Sequence, residues 1–163
     1  MARYRIVPER SHVRIGARSA LHPLTIAADG LEGWIDLGTP PAGSLRLEVE
    51  RLSCGRKLDD IELRRRIDAR RFPTIDGELT GVELVEGGGS AYEVSGNLTF
   101  HGVTRSYKDE MVVEAVDVTT VRLTGRSRFD MRDFGVAPPR VLFVRFEPQV
   151  DVEVEIVATE EEG

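Results

Sequence analysis

The chain has 163 residues and a net charge of −6, from 22 basic and 28 acidic residues. That length suits one domain, and an apolar content of 40% excludes the disordered class. The acidic balance disfavours nucleic acid or an anionic membrane as the main partner. A single cysteine, Cys54, excludes an intramolecular disulfide and a multi-cysteine metal site. No neighbour of Cys54 suggests a base, so it reads as a packed thiol. No apolar run reaches membrane-spanning length, so stable membrane insertion is not expected. Residues 1–6 run into a strand pattern without an apolar leader, and the chain as given reads as cytoplasmic.

Period-two alternation recurs along the chain. After a short apolar start at residues 4–7, Val13, Ile15 and Ala17 share one face, with His12, Arg14 and Arg18 on the other. Leu24, Ile26 and Ala28 form the next face, and Asp29-Gly30 marks a turn. Leu31, Gly33, Ile35 and Leu37 share a face, which leaves Trp34 on the charged parity. Beyond a Gly/Pro loop, Leu45, Leu47 and Val49 alternate with charged residues. A short helix is expected next. Asp59 would cap it, with Glu62 three residues on as in a capping box, and Phe72-Pro73 would end it. Leu63 and Ile67 lie four apart on one side, and the arginines of residues 64–66 read as a solvated face.

Residues 75–84 are strand-like, and Gly87, Gly88 and Gly89 form a flexible tip. A central hairpin follows. Tyr92, Val94, Gly96, Leu98 and Phe100 alternate with polar residues up to His101-Gly102. Tyr107, Met111, Val113 and Ala115 alternate after it. Gly102 takes positive φ without penalty and closes the corner, and Thr104 is placed to bond the local backbone. After a turn at residues 117–120, Val121, Leu123, Gly125, Ser127, Phe129 and Met131 share a parity. Loops at residues 133–135 and 138–139 precede an apolar run over residues 141–146. The final strand carries Val150, Val152, Val154 and Ile156 on one face. Residues 159–163 read as an acidic disordered tail after a single domain over residues 1–158.

Eight or more short strands, one helix and no βαβ pattern predict an all-β antiparallel sandwich or barrel. One face of nearly every strand is apolar, and a closed barrel hides such a surface without leaving an edge. Valine, isoleucine, leucine, alanine and glycine dominate that face. Side chains of this size leave room for a lumen; two sheets packed flat are the other arrangement.

No catalytic set emerges. His12, His22 and His101 form no metal-ligand pattern, so no metal or other cofactor is expected. Asp59-Asp60 fits a helix cap better than a carboxylate pair. Asp133-Phe134-Gly135 shares three letters with a kinase motif whose other elements are missing.

Four stretches carry a family resemblance. Residues 96–105, GNLTFHGVTR, closely resemble the G-x-L-T-φ-x-G-V-T-R signature (φ apolar) of the YceI-like family. Tyr4, Ile6 and Ser11 resemble the family's opening. Residues 67–75 resemble F-D-x-x-x-(F/Y)-P-x-I, and residues 129–136 resemble I-N-R-x-D-F-G-L. The matches come in the right order and cover almost the whole chain. Some family positions differ: Val7 and Arg10 replace an Asp and a His, Met131 stands at an Arg position, and Gly77 stands where an aromatic is often found.

The resemblance implies a lipocalin-like barrel of about eight strands with the helix at one end. It also implies a non-enzymatic carrier or store of a polyisoprenoid or similar long-chain lipid. Val13, Ile15, Leu47, Val94, Leu98, Phe100, Met111, Val113, Leu123, Phe129 and Val152, all of apolar parity, are the residues expected to touch that ligand. Family members are often dimeric, which places Trp34 in a homodimer contact or under a crossing loop. Two further readings stay open: a filled barrel that binds a protein partner, and a lipid-modifying enzyme with His101, Arg105 or Asp133 at the mouth.

Overall fold

The hairpin at Gly102 turns as the sequence predicts. His101 and Gly102 have φ of 55° and 75°, the pair of positive values that a two-residue turn needs to match strand twist. β7 (Ala91–Phe100) and β8 (Val103–Ala115) then pair without interruption from Phe100–Val103 to Ala91–Val112. Thr104 bonds across the hairpin, 2.8 Å from the Thr99 hydroxyl, rather than to its local backbone. The computed structural model describes residues 3–21, 23–138, 140–141 and 144–161. Of the features read from sequence, residues 1 and 2, His22, Pro139, Leu142, Phe143 and the last two tail residues lie outside these.

The remaining strands are β1 (Arg3–Ile6), β2 (His12–Ser19), β3 (Pro23–Asp29), β4 (Glu32–Asp36), β5 (Ala42–Glu48) and β6 (Thr74–Leu84). They continue with β9 (Thr120–Asp130), the two-residue β10 (Arg140–Val141) and β11 (Val144–Glu160). Pairing runs β1-β4-β5-β6-β7-β8-β9-β11, and β11 returns to β1. This closes an antiparallel barrel of eight strands and rules out the flat sandwich. β2 continues along the edge of β11 where β1 stops, and β3 pairs with β2. Main-chain bonds between Ala27 and Ser53, both 2.9 Å, tie β3 to the segment before the helix.

The break between β1 and β2 is filled by a side chain. A 3₁₀ turn at Pro8–Arg10 takes the chain out of the ladder. Ser11, fully buried, donates its hydroxyl to Val7 O (2.8 Å) and accepts from Val157 N–H (3.0 Å). It thus satisfies a β11 donor that would otherwise be orphaned. β11 itself runs on through Glu160, and Glu161 N–H donates to Arg3 O. The acidic end therefore belongs to the barrel at residues 159–161, where the sequence suggests a tail. Pairing with β1 is what orders it.

The outer face is charged. Asp151, Glu153 and Glu155 of β11 meet Arg128, Arg126 and Arg122 of β9 at 3.0–3.4 Å. Arg18 and His12 of β2 approach the same stripe. Each such pair contributes at most about 1 kcal/mol, but together they disfavour a one-residue slip of β11.

α1 (Lys57–Arg66) lies across one end of the barrel. Asp59 does not cap it: Arg56 holds the N-cap position and no side chain caps. Asp60 reaches back instead, accepting from Ser53 Oγ (2.6 Å), Cys54 N–H (2.8 Å) and Cys54 Sγ (3.1 Å). The helix also ends earlier than Phe72-Pro73. Asp68 enters the left-handed region (φ 51°), its N–H bonding Arg65 O and that of Ala69 bonding Arg64 O. This is a Schellman stop with Asp in the position usually held by Gly.

Candidate functional site

The inner faces of the strands enclose an apolar cavity of about 290 Å³ beneath α1, at the lower edge of the roughly 300–1,000 Å³ of ligand clefts. It exists because the lining is small. Gly77 lies between Leu45 and Leu98 in neighbouring strands, and a Cβ there would meet only Leu45 at an ordinary 3.5 Å. Gly125 faces Met111 across β8 and β9. Leu63 of α1 and Ile67, its C-cap residue, form part of the lining, as their spacing of four predicts, and α1 serves as the roof.

Nine of the eleven residues expected to touch a ligand line this cavity: Val13, Ile15, Leu47, Val94, Leu98, Phe100, Met111, Phe129 and Val152. Val113 and Leu123 do not. They pair with each other between β8 and β9, two residues beyond the Met111–Gly125 pair. Leu123 is partly buried and packs against the hydrophobic core without reaching the cavity. Parity gives the side of the sheet a residue faces but not its height along the barrel axis, so Val113 and Leu123 share the parity of the lining residues and still lie outside the lining.

Several lining residues escape a parity reading. Phe134 sits in a 3₁₀ turn (Met131–Phe134) that replaces the expected loop. The Asp130 carboxylate caps this turn by accepting from Arg132 N–H at 2.9 Å, and Gly135 ends it at φ 72°. Phe134 is buried and packs with Phe100 and Phe129, ring centres 5.8 and 6.4 Å apart. Asp109 was also missed, although it sits on the inward parity between Tyr107 and Met111. A carboxylate on an apolar face was the available signal. It accepts from Ser127 Oγ at 2.6 Å. Burial, and then the charge of Asp109, push the Tyr107 phenol above its ordinary pKa.

Of the three groups suggested for an active mouth, the His101 and Arg105 side chains have structural partners, and Asp133 contributes its main-chain carbonyl. His101 Nδ1 lies 3.1 Å from Phe134 O, and Arg105 Nε donates to Asp133 O at 3.0 Å. These bonds pin the β7–β8 corner to the 3₁₀ turn, and none of the three side chains lines the cavity. Cys54 is held by Asp60, and burial, with that carboxylate beside it, pushes its thiol upward, the wrong direction for a nucleophile. Among the described residues no cluster of His, Cys, Asp and Glu could hold a metal, and no helix is long and apolar enough to cross a membrane. Trp34 is half-buried on the outer face, with the Arg3 guanidinium 4.3 Å above its ring.

A closed antiparallel barrel with a helix over one end and a nearly all-apolar lumen defines the class: a lipocalin-like barrel. The YceI-like domain model matches residues 4–158, and the chain belongs to that family. Solved structures share the architecture at low sequence identity. Burkholderia cenocepacia BcnA superposes with a TM-score of 0.79 at 18% identity, over 91% of this chain and 96% of that one. A polyisoprenoid binding domain from Saccharophagus degradans gives 0.80 at 13%, over 97% and 98%. The Campylobacter jejuni YCEI protein gives 0.71 at 12%, over 88% of each chain. No protein of curated function matches the sequence.

Proposed function

We propose that this protein is a non-catalytic carrier or store that holds a polyisoprenoid or similar long apolar chain in its barrel. The observation that carries this reading is the lumen itself, about 290 Å³ of space walled mainly by aliphatic and aromatic side chains. A filled barrel would have no such space, because protein interiors pack to a density of about 0.74. The Saccharophagus domain of the same fold, described as polyisoprenoid binding, supports the ligand class. Each isoprene unit has five carbons, and at roughly 0.8 kcal/mol per buried CH₂ it contributes about 3–4 kcal/mol gross. A few units therefore suffice for tight binding without a fixed ionic contact, even after ordering costs.

Gly77→Phe tests this. The glycine faces the lumen, a Cβ there makes only ordinary contact with Leu45 and its backbone is extended. A phenylalanine there fills the space a ligand would take. The variant should fold and lose uptake of a C20 polyprenol that the parent binds. Equal uptake by a folded variant would remove the ligand from this cavity.

A further inference from the structure

The barrel wall has a gap between β8 and β9. Their ladder runs from Ala115–Val121 to Met111–Gly125 and stops. The same register would next pair Glu110 with Arg126 and Asp109 with Ser127, yet neither pair forms. Each strand remains held on its far side, β8 by β7 as far as Val103 and β9 by β11 as far as Asp130. The gap is therefore an opening in the wall, bounded at one end by Met111–Gly125 and at the other by Arg105 Nε on Asp133 O. The cavity reaches it: Glu110 and Arg126, whose parity faces outward, are lining residues.

What spans the gap is polar. Ser127 Oγ donates to Asp109 Oδ2 at 2.6 Å, on the lumen side. The Tyr107 phenol lies over Gly96, where an added Cβ would come within 2.9 Å of its oxygen. It stays protonated, because burial and the neighbouring carboxylate both raise its pKa, and so keeps a donor. The charges are unequal in effect. Arg126 is engaged by Glu153 at 3.1 Å, and Arg66, the other cationic lining residue, donates to Glu62 at 3.2 Å within its own helix. Asp109 has a neutral partner, Ser127, and Glu110 stands exposed beside it.

We propose that a ligand held in the lumen presents its head group at this side opening, and that the head group selected is an uncharged hydroxyl. Its O–H donates to Asp109 Oδ1 and its oxygen accepts from Tyr107. A phosphate or diphosphate head would bring negative charge against Asp109 and Glu110 and is disfavoured. The inference rests on the apolar-chain reading above and adds the chemistry of the chain's end.

The test measures equilibrium binding of three C20 probes to the full chain: geranylgeraniol, geranylgeranyl diphosphate and the head-less hydrocarbon phytane. The parent should bind the alcohol at least about tenfold more tightly than either of the others, as expected for hydrogen bonding to a charged acceptor. Asp109→Asn should narrow the preference for alcohol over diphosphate at least about tenfold and leave phytane unchanged. Tyr107→Phe, one oxygen smaller, should weaken the alcohol alone, and it carries the test if the Asn variant does not fold. A parent that prefers the diphosphate, or variants with unaltered ratios while phytane still binds, would overturn the head-group assignment and leave the lumen reading standing. Failure of all three probes to bind the parent would overturn both.

Discussion

Gly102 and Ser11 show how single residues set the barrel. Gly102 has φ of 75°, and a Cβ there would come 2.7 Å from Phe72 Cε1. Strain and clash act together, so Gly102→Val should lower unfolding free energy by more than about 1 kcal/mol in a denaturant titration. An unchanged midpoint would mean that the turn does not have this conformation. Ser11 carries two main-chain bonds at zero exposure. Ser11→Ala leaves a buried β11 donor unpaired and should cost about 1–3 kcal/mol, with hydrogen exchange at Val157 speeding up in parallel. Both positions fall within the family-like stretches. The glycine was legible because a turn between two alternating runs demands positive φ. The bonding of Ser11 was not, since its partner is 146 residues away.

At the scale of elements, strands were easier to read than the helix. Alternation survives because each strand has one face on the lumen and one in water. α1 has no such contrast: Leu58 and Ile61 are exposed while Asp60 is buried. Its capping pattern pointed to Asp59, whereas the groups that need a partner lie upstream at Ser53 and Cys54, brought close only when residues 49–56 cross the barrel end. Burial would raise the Asp60 pKa, but the bonds from Ser53 and Cys54 outweigh it and hold the carboxylate below its ordinary value. The folded pKa lies below the unfolded one, so this contribution is present above about pH 4 and is lost as pH falls through the folded value. Asp60→Asn should therefore show a shallower loss of stability on acidification than the parent; equal slopes would contradict this role. At the helix stop, Asp68→Val should cost about 1–2 kcal/mol because Asp68 is left-handed, while Asp68→Gly should cost nothing in thermal melts. The interrupted β8–β9 ladder left no trace in the pattern, because hydrophobic parity runs straight across it.

For the whole molecule, closure follows from β11. It is the longest strand at 17 residues and joins β9 on one side to β2 and then β1 on the other. The sequence supported a barrel or a sandwich; that one ring closes was carried by the family resemblance, since no alternation pattern encodes which strands meet. A lumen was one of two arrangements that the small inward residues allowed, and parity picks out nine of the residues that line it. Its height, its helical roof and its side opening depend on packing between distant segments.

The proposed function stands or falls on whether this lumen holds a long apolar molecule. Mass spectrometry of an organic extract of the purified protein, with Gly77→Phe prepared in parallel, tests it most directly. The parent should yield a long-chain isoprenoid or similar lipid in near-stoichiometric amount, and the folded variant should lack it. A parent that carries none and takes up no polyprenol in vitro, or a variant that carries as much, would contradict it.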